Sequence, residues 1–211
     1  MGNPVVPMAE IERIFSLVKN SNDLIAIHLK PGAIIDPQLS SGDSIYLVEG
    51  GRVSIQHTQN AKLLYNFSHK FIFGLTSLCD GVNIDGHFLS CEDDIIVTLI
   101  KRERFEVLLD EGMHWKSIAI ILSYYLSLTA QWRAENDQCV DNYSIMRCCL
   151  KKIWAMQENE RSETSIYEYI SKRHHISRSS ITKMLKTLND GNYIATKRGI
   201  LLHMNELPRY Y

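Results

Sequence analysis

The stretch from Ile166 to Met204 limits what this chain can fold into more than any other. It reads Ile-Tyr-Glu-Tyr-Ile, then Ser-Lys-Arg-His-His-Ile, then Ser177 through Leu188, and Asn189-Asp-Gly-Asn-Tyr-Ile194 closes it. Ser177 is a favourable helix N-cap, and Ile181, Met184, Leu185 and Leu188 follow at helical spacing, which gives one apolar face. The opposite face carries Arg178, Ser179, Thr182, Lys183 and Lys186. A charged face opposite an apolar one is most often only a solvated surface. The neighbouring sequence argues for more. Gly191 stands where a helix would end. Beyond it, Tyr193–Thr196 and Ile200–Met204 flank Lys197-Arg198-Gly199, a short hairpin with a basic tip. Helix, turn, basic helix and basic hairpin in that order predict a winged helix-turn-helix. Ser177, Arg178, Ser179, Thr182, Lys183, Lys186, Lys197 and Arg198 are the candidate contacts to double-stranded DNA.

The charge distribution agrees with this reading. The whole chain carries a net charge of −1, which alone argues against a nucleic-acid partner. Residues 147–211, however, hold 12 Lys and Arg against 6 Asp and Glu, a net +6; residues 1–146 hold 11 against 18, a net −7. Phosphate binding needs a local positive footprint rather than a basic whole.

With 211 residues, 45% of them hydrophobic, the chain can bury two small cores. The start, Met1-Gly-Asn-Pro-Val-Val-Pro-Met-Ala-Glu, has no cationic run followed by an apolar one. The longest apolar stretch, Ile118 to Leu128, is too short for a bilayer. A cytoplasmic protein without a membrane partner is expected. The five cysteines form no Cys-x-x-Cys pair, and the eight histidines show no metal-ligand spacing, so no metal is expected. Of the cysteines, Cys148 stands among Arg147, Lys151 and Lys152, which favour a thiolate, whereas Cys149 falls on the apolar side of its helix. No phosphate loop, nucleophile elbow or carboxylate pair is present, which weighs against an enzyme.

Residues 20–101 hold short β signals separated by turn residues: Leu24–Ile27, Pro31–Ile35, Ser44–Glu49, Val53–His57, Leu63–Phe67 and Ile95–Ile100. They predict a jelly roll or small barrel. A long helix is then expected from Glu103 to about Glu135. Within it Trp115, Ile118, Leu122, Tyr125, Thr129 and Trp132 recur at alternating spacings of three and four, a heptad seam suited to pairing with a second copy. Ile120, Ile121, Leu126 and Leu128 add a second apolar face, so packing on the chain's own β domain is the competing assignment. Polarity rises at Asn136-Asp137-Gln138, where a hinge is expected, and Asp141-Asn142 should cap the next helix. The predicted architecture is α+β, with a β-roll over 1–110, a dimerisation helix and hinge over 111–137, and a winged helix-turn-helix over 138–211.

That order resembles the CRP/FNR superfamily of bacterial transcription regulators, whose sensor is a cyclic-nucleotide-binding-like β-roll. Leu29-Lys-Pro-Gly32, Tyr46-Leu-Val-Glu-Gly-Gly-Arg-Val-Ser-Ile55 and Phe71-Ile-Phe-Gly-Leu75 look like its β-roll signatures, and Ser177 through Lys186 looks like its recognition helix. More narrowly, Phe71–Leu75, Ser177-Arg-Ser179, Gly191-Asn-Tyr-Ile194 and the ending Asn205-Glu-Leu-Pro-Arg-Tyr-Tyr211 resemble the enterobacterial IprA branch, associated with the response to hydrogen peroxide. The resemblance implies a homodimeric DNA-binding regulator, with RNA polymerase a further candidate partner.

The departures from the family pattern also carry information. Cyclic-nucleotide-binding members place a ribose-binding Glu after the Gly of the Phe-x-Gly segment, where this chain has Leu75. Their phosphate-binding Arg-Ser pair falls at about Asp85-Gly86 here, and a carboxylate would repel a phosphate. Cyclic AMP is therefore not the expected effector, and no cofactor is expected. In the recognition helix, Arg178 and Lys183 match the family's cationic positions while Ser179 replaces a Glu, so a different operator is implied. The turn through Ser171–His175 is also longer than the family's. An alternative function makes the β-roll a receptor: Phe73, Leu75, Leu78 and Phe88 would line a pocket for an apolar guest such as a fatty-acyl chain. A cup filled by its own side chains is the plainer alternative, and a protein-interaction module that has lost DNA binding is a third.

Overall fold

The computed structural model describes residues 4–21, 24–36, 44–58, 62–79, 86–137 and 141–208. Asp85, Gln138, the first three residues and the last three, all named above, lie outside them. The chain divides into two compact units, residues 1–130 and 131–211.

The first unit opens with helix α1 (Met8–Lys19). Its Ile11, Ile14, Phe15 and Val18 recur every three or four residues and are fully buried. Eight strands follow: β1 (Ile25–Leu29), β2 (Ile34–Ile35), β3 (Ser44–Glu49), β4 (Val53–His57), β5 (Leu63–Phe67), β6 (Phe71–Phe73), β7 (His87–Cys91) and β8 (Ile95–Lys101). They form two antiparallel four-stranded sheets, in the orders β1-β8-β3-β6 and β2-β7-β4-β5. Strand β3 shows why the segment Ile45-Tyr-Leu-Val48 is apolar without alternation: both of its faces are covered. Tyr46 and Val48 point between the sheets, among Val53, Phe67, Phe71, Leu89, Cys91, Ile95 and Val97. Ile45 and Leu47 point the other way, onto a second cluster with Ile72, Ile100 and the helices. The space between the sheets is filled with aromatic rings, Phe67 and Phe71 stacking at 4.5 Å and 18°.

The single helix expected from Glu103 is instead two, α2 (Arg102–Glu111) and α3 (Trp115–Asp137). Met113 adopts a left-handed backbone at φ 53°, and the His114 N–H turns back to the Leu109 carbonyl at 2.9 Å. Helix α3 continues through Asn136 and Asp137, where the rise in polarity predicted a hinge. Strands β6 and β7 and helix α1 were not anticipated. Tyr125 ties α3 to the sheet: its hydroxyl accepts the Ile72 N–H and donates to the Ile72 carbonyl, both at 3.0 Å. Edge strand β6 thus gains partners for backbone groups that it would otherwise present unpaired.

The second unit contains α4 (Asn142–Trp154), α5 (Glu158–Glu163), α6 (Ile166–Ser171), α7 (Arg178–Asp190), β9 (Ile194–Lys197) and β10 (Ile200–Met204). Asp141 caps α4 as anticipated, in a reciprocal capping box with Ser144. The core of this unit gathers Met146, Leu150 and Ile153 of α4, Ile166 and Ile170 of α6, Ile181 and Leu188 of α7, and Ile194 and Leu201 of the hairpin.

Candidate nucleic-acid interface

Helix α7 divides as its sequence pattern demands. Ile181 and Leu188 are buried and Met184 and Leu185 half-buried, while Arg178, Ser179, Thr182, Lys183 and Lys186 are all exposed on the other side. Ser177 caps the helix: its Oγ accepts the Ser180 N–H at 3.2 Å. The hydroxyls of this face are partly occupied. Ser177 Oγ lies 3.0 Å from Ser179 Oγ and donates to Ser180 Oγ at 2.8 Å, and Thr182 donates to the Arg178 carbonyl at 2.9 Å. What they keep for a partner is chiefly acceptor capacity. The first turn holds no acidic residue, so nothing neutralises the positive end of the helix dipole, a setting that favours a phosphate.

The hairpin turns through Arg198 at φ 52° and Gly199 at φ 81°, both left-handed as a type I′ turn requires, which leaves exposed Lys197 and Arg198 at its tip. Two attachments missed in the sequence hold this wing in place. Asn189, at the end of α7, donates to the Leu185 carbonyl at 2.7 Å and to Thr196 Oγ1 at 2.9 Å, and accepts the Thr196 N–H at 3.0 Å. At the tip, the Ile166 N–H donates to the Gly199 carbonyl at 2.9 Å, beside a bridge between Ser165 and Ile200. The only prior signal was the composition of Asn189, a residue that often bonds to backbone. The eight predicted DNA contacts are thus all exposed on α7, its cap and the tip of the hairpin tied to it.

The other predicted sites are dispersed. In the seam, Ile118 is 2% exposed in the core of the first unit and Tyr125 packs against the same core. Trp115 and Leu122 are 41% and 38% exposed, Thr129 and Trp132 are half-buried, and Leu126, left out of the predicted seam, is 70% exposed. The outward stripe is therefore Trp115, Ala119, Leu122 and Leu126, with half-buried Thr129 at its end, one step round the helix from the predicted seam. Both stripes share Trp115, Leu122 and Thr129, and a helix apolar on most sides does not reveal by spacing which stripe its own domain covers. The four pocket residues do not share a cluster. Leu75 and Leu78 belong with the helices, Phe73 with the rings between the sheets, and half-buried Phe88 with neither. Gly74, at φ 89°, brings the backbone against strand β3, where a Cβ would come within 2.8 Å of the Ser44 carbonyl oxygen.

Cys149 is buried in its unit. Burial pushes its thiol up to about 11, against the opposing pull of nearby Lys152 and Arg173, while Cys148 is half-buried. Among the described residues no group of three or more His, Cys, Asp or Glu could hold a metal ion, and no helix is long and apolar enough to cross a membrane.

Comparison with known proteins agrees with this geometry. Residues 142–209 match the family described as winged helix-turn-helix DNA binding. The fold as a whole is similar to the c-di-GMP-responsive global regulator CLP of Xanthomonas campestris, with TM-score 0.63 and 16% identity over 94% of this chain and 100% of that one. It is also similar to a protein from Eubacterium rectale assigned to the Crp/Fnr family of transcriptional regulators, with TM-score 0.62 and 15% identity over 92% and 90% of the two chains. The chain therefore has the fold of the CRP/FNR regulators, with a winged helix-turn-helix as its second unit. In sequence it is similar to proteins named inhibitor of hydrogen peroxide resistance. It is 27% identical to the one from Salmonella typhimurium over 67% of each chain, and 34% identical to that of Escherichia coli K12 over 34% of each.

Proposed function

We propose that this protein is a homodimeric, sequence-specific DNA-binding regulator of transcription that acts in the cytoplasm without cyclic AMP and is linked to the hydrogen peroxide response. The observation that carries the reading is the exposed basic face of α7 beside the basic wing tip, in a unit of net positive charge. Arg178 and Lys183 are the candidates for base edges, and Lys186, Lys197 and Arg198 for phosphates. The outward stripe on α3 is the surface on which two copies would pair, and pairing would present two recognition helices to a two-fold symmetric site. Leu75 supports independence from cyclic AMP, because it offers no acceptor to a ribose and its side chain is spent on the core. An apolar guest between the sheets would have to displace the stacked Phe67 and Phe71, so the receptor reading gains no support from the β-roll interior. The peroxide link rests on the similarity to the two inhibitors of hydrogen peroxide resistance, and cells lacking this protein are expected to survive peroxide better. Selection from a pool of randomised duplexes by the purified protein tests the central reading. A palindromic motif is expected, and recovery of the unselected pool would refute sequence-specific binding.

A further inference from the structure

We infer that Tyr167 is a positioning residue for DNA readout, holding the Arg178 guanidinium in place before DNA arrives. The inference rests on the DNA-binding reading above. Arg178 is the first residue of α7, where the helix dipole opposes a cation, and no acidic side chain lies in that turn to compensate. A long exposed arginine there would ordinarily sample many rotamers and lose that freedom on binding. Among the described residues its guanidinium has no hydrogen-bond or ion-pair partner. It lies over the Tyr167 ring of α6, with the guanidinium carbon 4.9 Å from the ring centroid. The ring is half-buried and so fixed by the unit's core, while Arg178 above it is exposed.

The electron-rich face of the ring compensates the cation and restricts its rotamers. A guanidinium held over the ring by its face keeps its N–H edge free to fork onto a guanine. The neighbouring pair Arg173 and Tyr169 shows the contrast. That guanidinium stacks at 3.7 Å but also donates to the Tyr169 carbonyl at 3.1 Å, which holds it against its own unit. Among the described residues, only the Arg178 pair combines an arginine over a fixed ring with an uncommitted edge.

The test uses the full chain and the duplex that the parent selects from a randomised pool, with discrimination measured against each single-base change. Arg178→Ala identifies the base pair that Arg178 reads. Tyr167→Phe keeps the ring and should keep that preference. Placing trifluorophenylalanine at position 167 preserves shape while draining the ring face of charge, and should lower discrimination at that one base pair about two- to five-fold. The same replacement in an Arg178→Ala background should change nothing further. Two results would overturn the inference: unchanged discrimination with the fluorinated ring, or an equal loss with and without Arg178, which marks Tyr167 as merely structural. If Arg178→Ala itself leaves every base preference intact, the reading of α7 fails, and the inference with it.

Discussion

At the scale of single residues, chemistry separates side chains that carry sequence information from those that carry only charge. Arg178→Ala should cost about 1–3 kcal/mol on the selected duplex and blur one base pair, because a bidentate contact is lost. Lys186→Ala should weaken selected and scrambled duplexes alike and lower the slope of affinity against salt by about one, as loss of one phosphate contact does. Salt titrations by fluorescence anisotropy distinguish the two, and a uniform effect of Arg178→Ala would remove it from the readout. Cys149 supplies a prediction in pH. Folding favours its neutral thiol, so its contribution to stability is full below the ordinary thiol value of 9.0 and is lost as pH rises toward about 11. Thermal unfolding followed across that window should fall less steeply for Cys149→Ala than for the parent. The neutral buried thiol is also a poor nucleophile, so stoichiometric peroxide should leave Cys149 reduced in a thiol count. A peroxide link would then run through the genes that the protein controls.

At the scale of elements, the two faces of α3 have different duties. Leu126→Lys alters the outward stripe without touching the core, and should leave the unfolding temperature close to the parent's while light scattering shows monomers at micromolar concentration. Ile118→Lys should instead unfold the first unit, since it would bury an unpaired charge. A dimer that persists in Leu126→Lys would move the pairing surface elsewhere. Asn189→Ala removes two hydrogen bonds between α7 and the wing and one within α7, and should cost about 1–3 kcal/mol of stability in the second unit, read by calorimetry. These elements also show what could be read from sequence. The α7 face, its Ser177 cap, the Asp141 cap and the hairpin were legible, because each is a local pattern of a few residues. Strands β3, β4, β5 and β8 were legible from β-branched and aromatic runs. Strand β7, with His87 and Ser90 among its five residues, gave too weak an alternation. The break at Gly112–His114 is set by a left-handed Met113, which composition does not announce. The rotation of the α3 stripe depended on which side the sheet covers, a tertiary fact.

At the scale of the whole molecule, charge is divided between the halves of the chain, so an excess of salt should release DNA without unfolding either unit. Calorimetric titration with millimolar cyclic AMP should give no saturable heat and leave DNA affinity unchanged, because the buried Leu75 offers no acceptor to a ribose. A saturable signal would refute independence from cyclic AMP and the matching of Leu75 to the ribose position. The attachment of the wing to two different helices has a consequence for the DNA itself. Asn189 fixes Thr196 of β9 to α7, and the Ile166–Gly199 hydrogen bond fixes the tip of the hairpin to α6. The exposed face of α7 and the wing are therefore two teeth of one comb, with a spacing that these hydrogen bonds hold. Such a comb works as a gauge: a duplex whose groove and flanking backbone do not match that spacing must deform to meet it or forfeit one tooth. Part of the selectivity would then fall on bases that no side chain touches, chosen for how readily their stack yields.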